Sequence, residues 1–285
     1  MSGTDDPIRA RVAGLPPELR ARLAESLRSR SPDPAWFVRH GSAEPGLRLF
    51  CFSYAGGGAA VFRGWADRLP DDIEICAVQL PGRETRAGEP TYRRLEGLVA
   101  DLRTAIAPLL DRPFAFFGHS MGALIAFDLT RQLRQTGAPQ PRRLFLAAFR
   151  APQLPNPNIK IYHLPDEVLK TVLAKDGTPR SVLDDDELMR DWLPTLRADV
   201  EVCDTYKYAP EDPLPMPMSV FGGTYDVRVG REDLEEWKEQ AGGEFTLTML
   251  PGSHFFLREC PELLLAHVST EIRSATISEG TPPHE

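Results

Sequence analysis

The sequence predicts an α/β protein with a mostly parallel central sheet flanked by helices, and three observations carry that expectation. Short apolar runs of strand length recur at residues 47–52, 114–117, 143–149, 218–223 and 245–250. Apolar residues at helical spacing follow the second run over 123–133, and recur over 166–174, 186–196 and 199–206. Between the run at 114–117 and its helix stands Gly118-His119-Ser120-Met121-Gly122, a Gly-x-Ser-x-Gly turn.

Taken in order, the first run (47–52) opens into Ser53-Tyr54-Ala55-Gly56-Gly57-Gly58-Ala59, where three glycines let backbone approach a ligand closely. A phosphate-binding loop would close on Gly-Lys-Ser or Gly-Lys-Thr, and Ala59-Ala60-Val61 stands there instead. Arg112-Pro113 marks the start of the next strand, Phe114-Ala115-Phe116-Phe117. The turn after it is tight. A Cβ at Gly118 or Gly122 would crowd the serine backbone or the packing of helix on strand. That geometry lifts the Ser120 hydroxyl out of the sheet and aims a helix N-terminus at it, where N–H groups can stabilise an oxyanion.

A serine hydroxyl needs a base within hydrogen-bond reach, and the base needs an acid to orient it. On an α/β-hydrolase the three follow in the order Ser, Asp or Glu, His. Of six histidines, His119 lies inside the turn, His40 and His163 precede the acid expected in this order, and His284 is in a polar tail. His267 sits in a helical pattern as a face or packing residue. His254 remains, in the loop Pro251-Gly252-Ser253-His254-Phe255-Phe256 after the last apolar run. The acid should leave the preceding strand, which puts Asp226 of Thr224-Tyr225-Asp226 first. Asp233, in an acid-rich helix start, is the alternative. The oxyanion donors are then the N–H groups of Ala55 and Met121, and Tyr54, Gly56 and Phe255 are candidate substrate contacts.

These residues together resemble the type II thioesterases of polyketide and nonribosomal peptide assembly lines. The likeness rests on Trp36-Phe37-Val38-Arg39, on residues 49–59, on Val78-Gln79-Leu80-Pro81-Gly82-Arg83-Glu84, on the serine turn, on Gly222-Gly223-Thr224-Tyr225-Asp226 and on the His254 loop. It runs from about residue 36 to about residue 272. The Tyr-Ala-Gly-Gly loop and the Gln-Leu-Pro-Gly-Arg stretch are more specific than the serine turn. Ser53 departs from the family, where many members have proline. The resemblance implies an α/β-hydrolase fold, the triad Ser120, Asp226 and His254, and the oxyanion donors Ala55 and Met121. It further implies hydrolysis of acyl thioesters on the phosphopantetheine arm of acyl or peptidyl carrier proteins, removing aberrant or stalled groups, with no metal or bound cofactor. The alternatives are release of a finished chain by hydrolysis or cyclisation, or a general carboxylesterase. Against the esterase, the oxyanion loop is Tyr-Ala-Gly-Gly rather than His-Gly-Gly-Gly.

In this fold an insertion over about 151–213 is expected to form a helical lid. Its apolar residues Leu169, Val172, Leu173, Met189, Trp192 and Leu193 either line an acyl chamber or pack the lid on the core, with packing the main expectation. The catalytic domain is expected over 36–278. Residues 1–35 read as a partly helical or flexible extension, with a helix start at Leu15-Pro16-Pro17-Glu18 and frequent arginines, and 279–285 as a disordered tail.

Composition narrows the class. At 285 residues and 42% hydrophobic the chain suits one such domain with an insertion. The formal net charge of −8 argues against nucleic acid. It also repels an acidic carrier at long range, so docking needs a local basic or apolar patch. Cys51, Cys76, Cys203 and Cys260 are widely spaced without a metal pattern, and Cys51 and Cys76 read as buried thiols. The polar residues 1–11 do not resemble a signal peptide, and no run reaches membrane-spanning length. A cytoplasmic monomer, clear of the membrane, is the expectation.

Overall fold

The structure, a computed structural model, describes residues 35–156, 160–175, 178 and 180–277. All but the last residue of the expected extension, and the expected tail, lie outside the described residues. Seven strands make one sheet: β1 (Phe37–Gly41), β2 (Leu47–Phe52), β3 (Ile73–Val78), β4 (Phe114–His119), β5 (Leu144–Ala147), β6 (Met218–Gly223) and β7 (Phe245–Leu250). They run in the order β1-β3-β2-β4-β5-β6-β7. Strand β1 is antiparallel to β3, with Phe37 opposite Val78, and every other pair is parallel. The helices are α1 (Leu95–Ile106), α2 (Met121–Gln135), α3 (Asp166–Lys175), α4 (Arg180–Leu183), α5 (Asp186–Thr205), α6 (Arg231–Glu235), α7 (Phe256–Glu259) and α8 (Pro261–Ile277).

Burial is unbroken along the central strands because both faces of the sheet are covered there. Every residue of β2 to β6 is buried. Alternate residues therefore serve different layers. Phe50, Phe52 and Phe116 pack with α1 and α2, through Leu98, Val99, Leu102, Ile125 and Leu129. Leu49, Cys51 and Phe117 pack on the opposite face with Phe62, Trp65 and the α8 residues Leu264, Leu265 and Val268. Cys51 and Cys76 are buried thiols, as expected. Burial pushes both up, Cys76 to about 12.

Helices α3 to α5 occupy the segment between β5 and β6. Leu169, Leu173, Leu183, Met189, Leu193 and Leu196 form a cluster of their own, with Trp192 and Ala55 packed against it, and Val172 is half-buried. These side chains hold the inserted helices together. One expectation is corrected here: residues 186–196 and 199–206 are not two helices. A single helix of 20 residues runs through Pro194. An interior proline removes one backbone hydrogen bond. Side-chain hydrogen bonds from Trp192, Thr195 and Asp199 to loops of the main domain hold the helix on both sides of it. Its N-terminus is capped by Asp185, which accepts from the N–H groups of Glu187 and Leu188. Among the described residues no helix is long and apolar enough to cross a membrane.

Candidate active site

Strand β4 ends at His119 and α2 begins at Met121, so Ser120 is the whole connection. Its backbone sits at φ 53°, ψ −119°, a region that costs a non-glycine residue about 1–3 kcal/mol. The surroundings impose it. Ser120 N–H donates to Ala147 O at 2.7 Å, and Ala123 N–H donates to Ser120 O at 2.8 Å. A Cβ at Gly118 would collide with the Gly122 carbonyl, and one at Gly122 with the Phe52 carbonyl. Both obstacles are backbone, so neither glycine can be exchanged without moving the helix off the sheet.

The loops after β6 and β7 are joined to each other. Thr224 N–H donates to Leu250 O at 2.8 Å and Tyr225 N–H to Gly252 O at 2.9 Å. This join brings Asp226 to His254. The His254 Nδ1–H donates to Asp226 Oδ2 at 2.8 Å, and His254 Nε2 lies 3.0 Å from Ser120 Oγ. With its proton on Nδ1, the neutral ring accepts from the Ser120 hydroxyl. Asp226 Oδ1 accepts from the N–H groups of Arg228 (2.8 Å) and Val229 (3.3 Å). Burial works to raise the Asp226 carboxyl. Its hydrogen bond and charge contact with His254, with the two backbone donors, outweigh that and hold it below the usual carboxylate range. Asp233 stands elsewhere, accepting from Gly230 N–H at the start of α6, and His267 is exposed on α8.

The loop after β2 turns tightly at Tyr54–Gly57, closed by Gly57 N–H donating to Tyr54 O at 2.9 Å, with Gly56 at φ 76°. That bond leaves the Ala55 N–H out of the turn. Met121 is the first residue of α2, whose opening N–H groups have no partner within the helix and carry the positive end of its dipole. Tyr54 and Phe255 line the same place: their rings meet edge to face at 5.1 Å, Tyr54 is 5.9 Å from His119, and Phe255 is 5.4 Å from His254.

Three contributions were not expected from sequence. His119 Nε2 donates to the His254 backbone oxygen at 2.7 Å. Glu259 holds the His254 loop through Ser253 N–H at 2.8 Å. Asp199 and Arg83 form a buried ion pair beside the Ala55 turn. The first and third join distant parts of the chain and have no signal in local spacing, whereas Glu259 lies six residues from Ser253. Among the described residues no group of three or more His, Cys, Asp or Glu side chains is placed to hold a metal ion.

A mostly parallel sheet with a serine at a strand–helix elbow, an aspartate beyond the sixth strand and a histidine beyond the seventh defines an α/β-hydrolase. Residues 47–272 match the thioesterase domain, and the chain belongs to that family. Members of it are hydrolases acting on thioesters. The gramicidin S biosynthesis protein GrsT of Aneurinibacillus migulanus is 42% identical over 240 residues, 84% of this chain and 94% of that protein. Among solved structures, the RedJ thioesterase of the prodiginine pathway of Streptomyces coelicolor superposes with a TM-score of 0.76 at 40% identity, covering 80% of this chain and 91% of that one. The type II thioesterase BorB of the borrelidin cluster gives a TM-score of 0.77 at 32% identity, covering 84% and 98%.

Proposed function

We propose that this enzyme hydrolyses acyl thioesters on the phosphopantetheine arm of acyl or peptidyl carrier proteins, clearing aberrant or stalled acyl groups through a serine-bound intermediate. The observation that carries the reading is the unbroken chain Ser120 Oγ, His254 Nε2, His254 Nδ1, Asp226 Oδ2, with links of 3.0 and 2.8 Å. The substrate class is supported by relatives named for gramicidin S biosynthesis and the borrelidin biosynthetic cluster, and by solved thioesterase structures from NRPS/PKS pathways.

His254 Nε2 takes the Ser120 proton as Oγ attacks the acyl carbonyl carbon. The Ala55 and Met121 N–H groups bind the oxyanion of the tetrahedral intermediate. The C–S bond then breaks, His254 returns the proton to sulfur, and the pantetheine thiol leaves an acyl-Ser120 ester. A water gives a proton to His254 and attacks that ester. The carboxylic acid departs and Ser120 regains its proton. Asp226 keeps the imidazole in the Nδ1–H tautomer and stabilises its charged form. The inserted helices of 151–213 cover the site as a lid, and the chemistry draws on no metal or bound cofactor.

Intact-protein mass spectrometry of holo carrier proteins loaded with acetyl, propionyl or longer acyl groups tests the reading. Wild type should strip short acyl groups broadly, and Ser120→Ala should strip none. Survival of carrier thioesters alongside cleavage of simple oxygen esters would make a general esterase the better description. Cleavage confined to one full-length acyl chain would make it a chain-releasing enzyme.

A further inference from the structure

Trp192, Thr195 and Asp199 lie on one face of α5, spaced three and four residues apart. All three reach across to loops of the main domain. Trp192 Nε1–H donates to Gly56 O at 2.9 Å, Thr195 Oγ1–H donates to Gly82 O at 2.7 Å, and Asp199 Oδ2 accepts from Gly56 N–H at 2.7 Å. One residue, Gly56, thus has both its backbone groups bound by the same helix. A Cβ on Gly56 would lie 2.6 Å from Trp192 Nε1, so the indole fills the space a side chain would need.

The carboxylate in this contact is buried and balanced. Arg83 donates from Nη1 to Asp199 Oδ2 at 2.6 Å and from Nη2 to Oδ1 at 2.8 Å, with side-chain exposures of 8% and 5%. The same Nη1 donates to Gly57 O at 3.0 Å. A forked guanidinium–carboxylate pair fixes direction as well as charge. It passes that rigidity to the turn, because Asp199 and Arg83 hold backbone atoms of consecutive residues, Gly56 and Gly57.

We infer that α5 is a fixed brace of the oxyanion loop, and that Trp192 and Asp199 are positioning residues for the Ala55 N–H. This rests on the thioesterase reading with Ala55 as an oxyanion donor. The Tyr54–Ala55 peptide that carries this N–H is held on its carbonyl by Gly57. The peptide after it, Ala55–Gly56, is held on its N–H by Asp199. Ala55 therefore sits between two pinned peptide planes, one of them pinned from the inserted helices. Any opening that admits acyl chains belongs to other parts of the insertion, since lifting α5 would release the oxyanion donor.

The test compares wild type, Trp192→Phe, Asp199→Ala and Ser120→Ala on acyl N-acetylcysteamine thioesters. It adds two inhibitors: a trifluoromethyl ketone analogue, which forms a tetrahedral adduct, and the matching thioether, which does not. Trp192→Phe removes the indole N–H and its five-membered ring while keeping an aromatic side chain, and should lower kcat about threefold to tenfold. Asp199→Ala should lower it about tenfold to 100-fold. KM should stay within about twofold for both. Trifluoromethyl ketone affinity should fall in step with kcat/KM, while thioether affinity holds. A merely structural role would weaken both inhibitors together or neither. If Asp199→Ala fails to fold, Trp192→Phe carries the test alone. Unchanged kcat and ketone affinity in Trp192→Phe overturns the brace while Ser120-dependent hydrolysis leaves the thioesterase reading standing. A wild type that cleaves no thioester overturns both.

Discussion

The ring of His119 donates from Nε2 to the backbone oxygen of His254 at 2.7 Å, across a separation of 135 residues. The neighbour of the proposed nucleophile thus holds the main chain of the proposed base. Its proton must sit on Nε2, since a carbonyl only accepts, and that leaves Nδ1 a buried acceptor with no partner among the described residues. Burial, then the adjacent His254, push the His119 ring down to about 3. An unfolded histidine titrates near about 6.5. Between those values the unfolded chain binds a proton that the folded one refuses. The contribution to stability is whole above about pH 6.5 and is lost as pH falls toward about 3, at about 1.4 kcal/mol per pH unit. Urea denaturation at about pH 7 and about pH 5 should show wild type losing about 2 kcal/mol more than His119→Phe. Equal losses would mean that His119 is not the group responsible.

Asp226 is expected to act through the tautomer of His254. Asp226→Asn keeps the size but can donate to Nδ1, which moves the ring proton to Nε2 and turns it toward Ser120 as a donor. The variant should fold, retain KM within about twofold, and lose about 10³- to 10⁴-fold in kcat. Steady-state kinetics with a carrier-bound or N-acetylcysteamine thioester decide it. A loss below tenfold would show that orientation of the ring does not depend on this carboxylate.

The strands and the serine elbow were legible because their causes are local. A sheet covered on both faces demands mostly apolar strands, and β2 and β6 fall where such runs stand, while the half-buried β7 keeps the alternation Phe-Thr-Leu-Thr. The elbow was legible because its two glycines face backbone oxygens. Chain order then singled out Asp226 and His254, which the structure brings together with Ser120. What was not legible depends on distant partners. Helix α5 reads locally as two pieces, 186–196 and 199–206, because Arg197-Ala198 interrupts the apolar spacing, and only contacts with loops 113 to 143 residues away show how it is held whole. The Arg83–Asp199 pair spans 116 residues. Arg83 stood inside a recognisable stretch while Asp199 looked like any helix-surface acid. The antiparallel edge strand β1 and helix α1 went unread as elements, although Trp36-Phe37 and the following residues were noted as a sequence likeness.

Glycine substitutions should separate backbone crowding from ordinary flexibility. Gly122→Ala places its Cβ against the Phe52 carbonyl, which is sheet backbone and cannot yield. Loss of more than about 3 kcal/mol, with loss of activity, is expected. Gly88→Ala meets nothing within 4 Å, so it should be neutral or stabilise by up to about 1 kcal/mol through the unfolded chain. Thermal melts of the two variants check this. A stable, active Gly122→Ala would mean that the elbow can relax away from β2.

Buried charge in the sheet offers a final test. Arg48 on β2 and Glu74 on β3 are register partners, and Arg48 Nε–H donates to Glu74 Oε2 at 2.9 Å with side-chain exposures of 7% and 5%. Arg39 of β1 donates to the other oxygen at 2.6 Å. Arg48 also reaches Leu109 O at 2.7 Å and the exposed carboxylate of Asp111. Glu74→Ala therefore leaves a buried guanidinium whose remaining carboxylate is solvent-screened. The expected cost is about 3 kcal/mol, the low end for a broken buried pair, because Asp111 remains. Replacing both partners, Arg48→Met with Glu74→Leu, removes the stranded charge and should recover most of that loss. The interaction energy from Arg48→Met, Glu74→Leu and the double variant, measured by chemical denaturation, is the quantity that matters. If the double variant is as unstable as Glu74→Ala, the loss comes from packing between β2 and β3, and the stranded charge on Arg48 is not its cause.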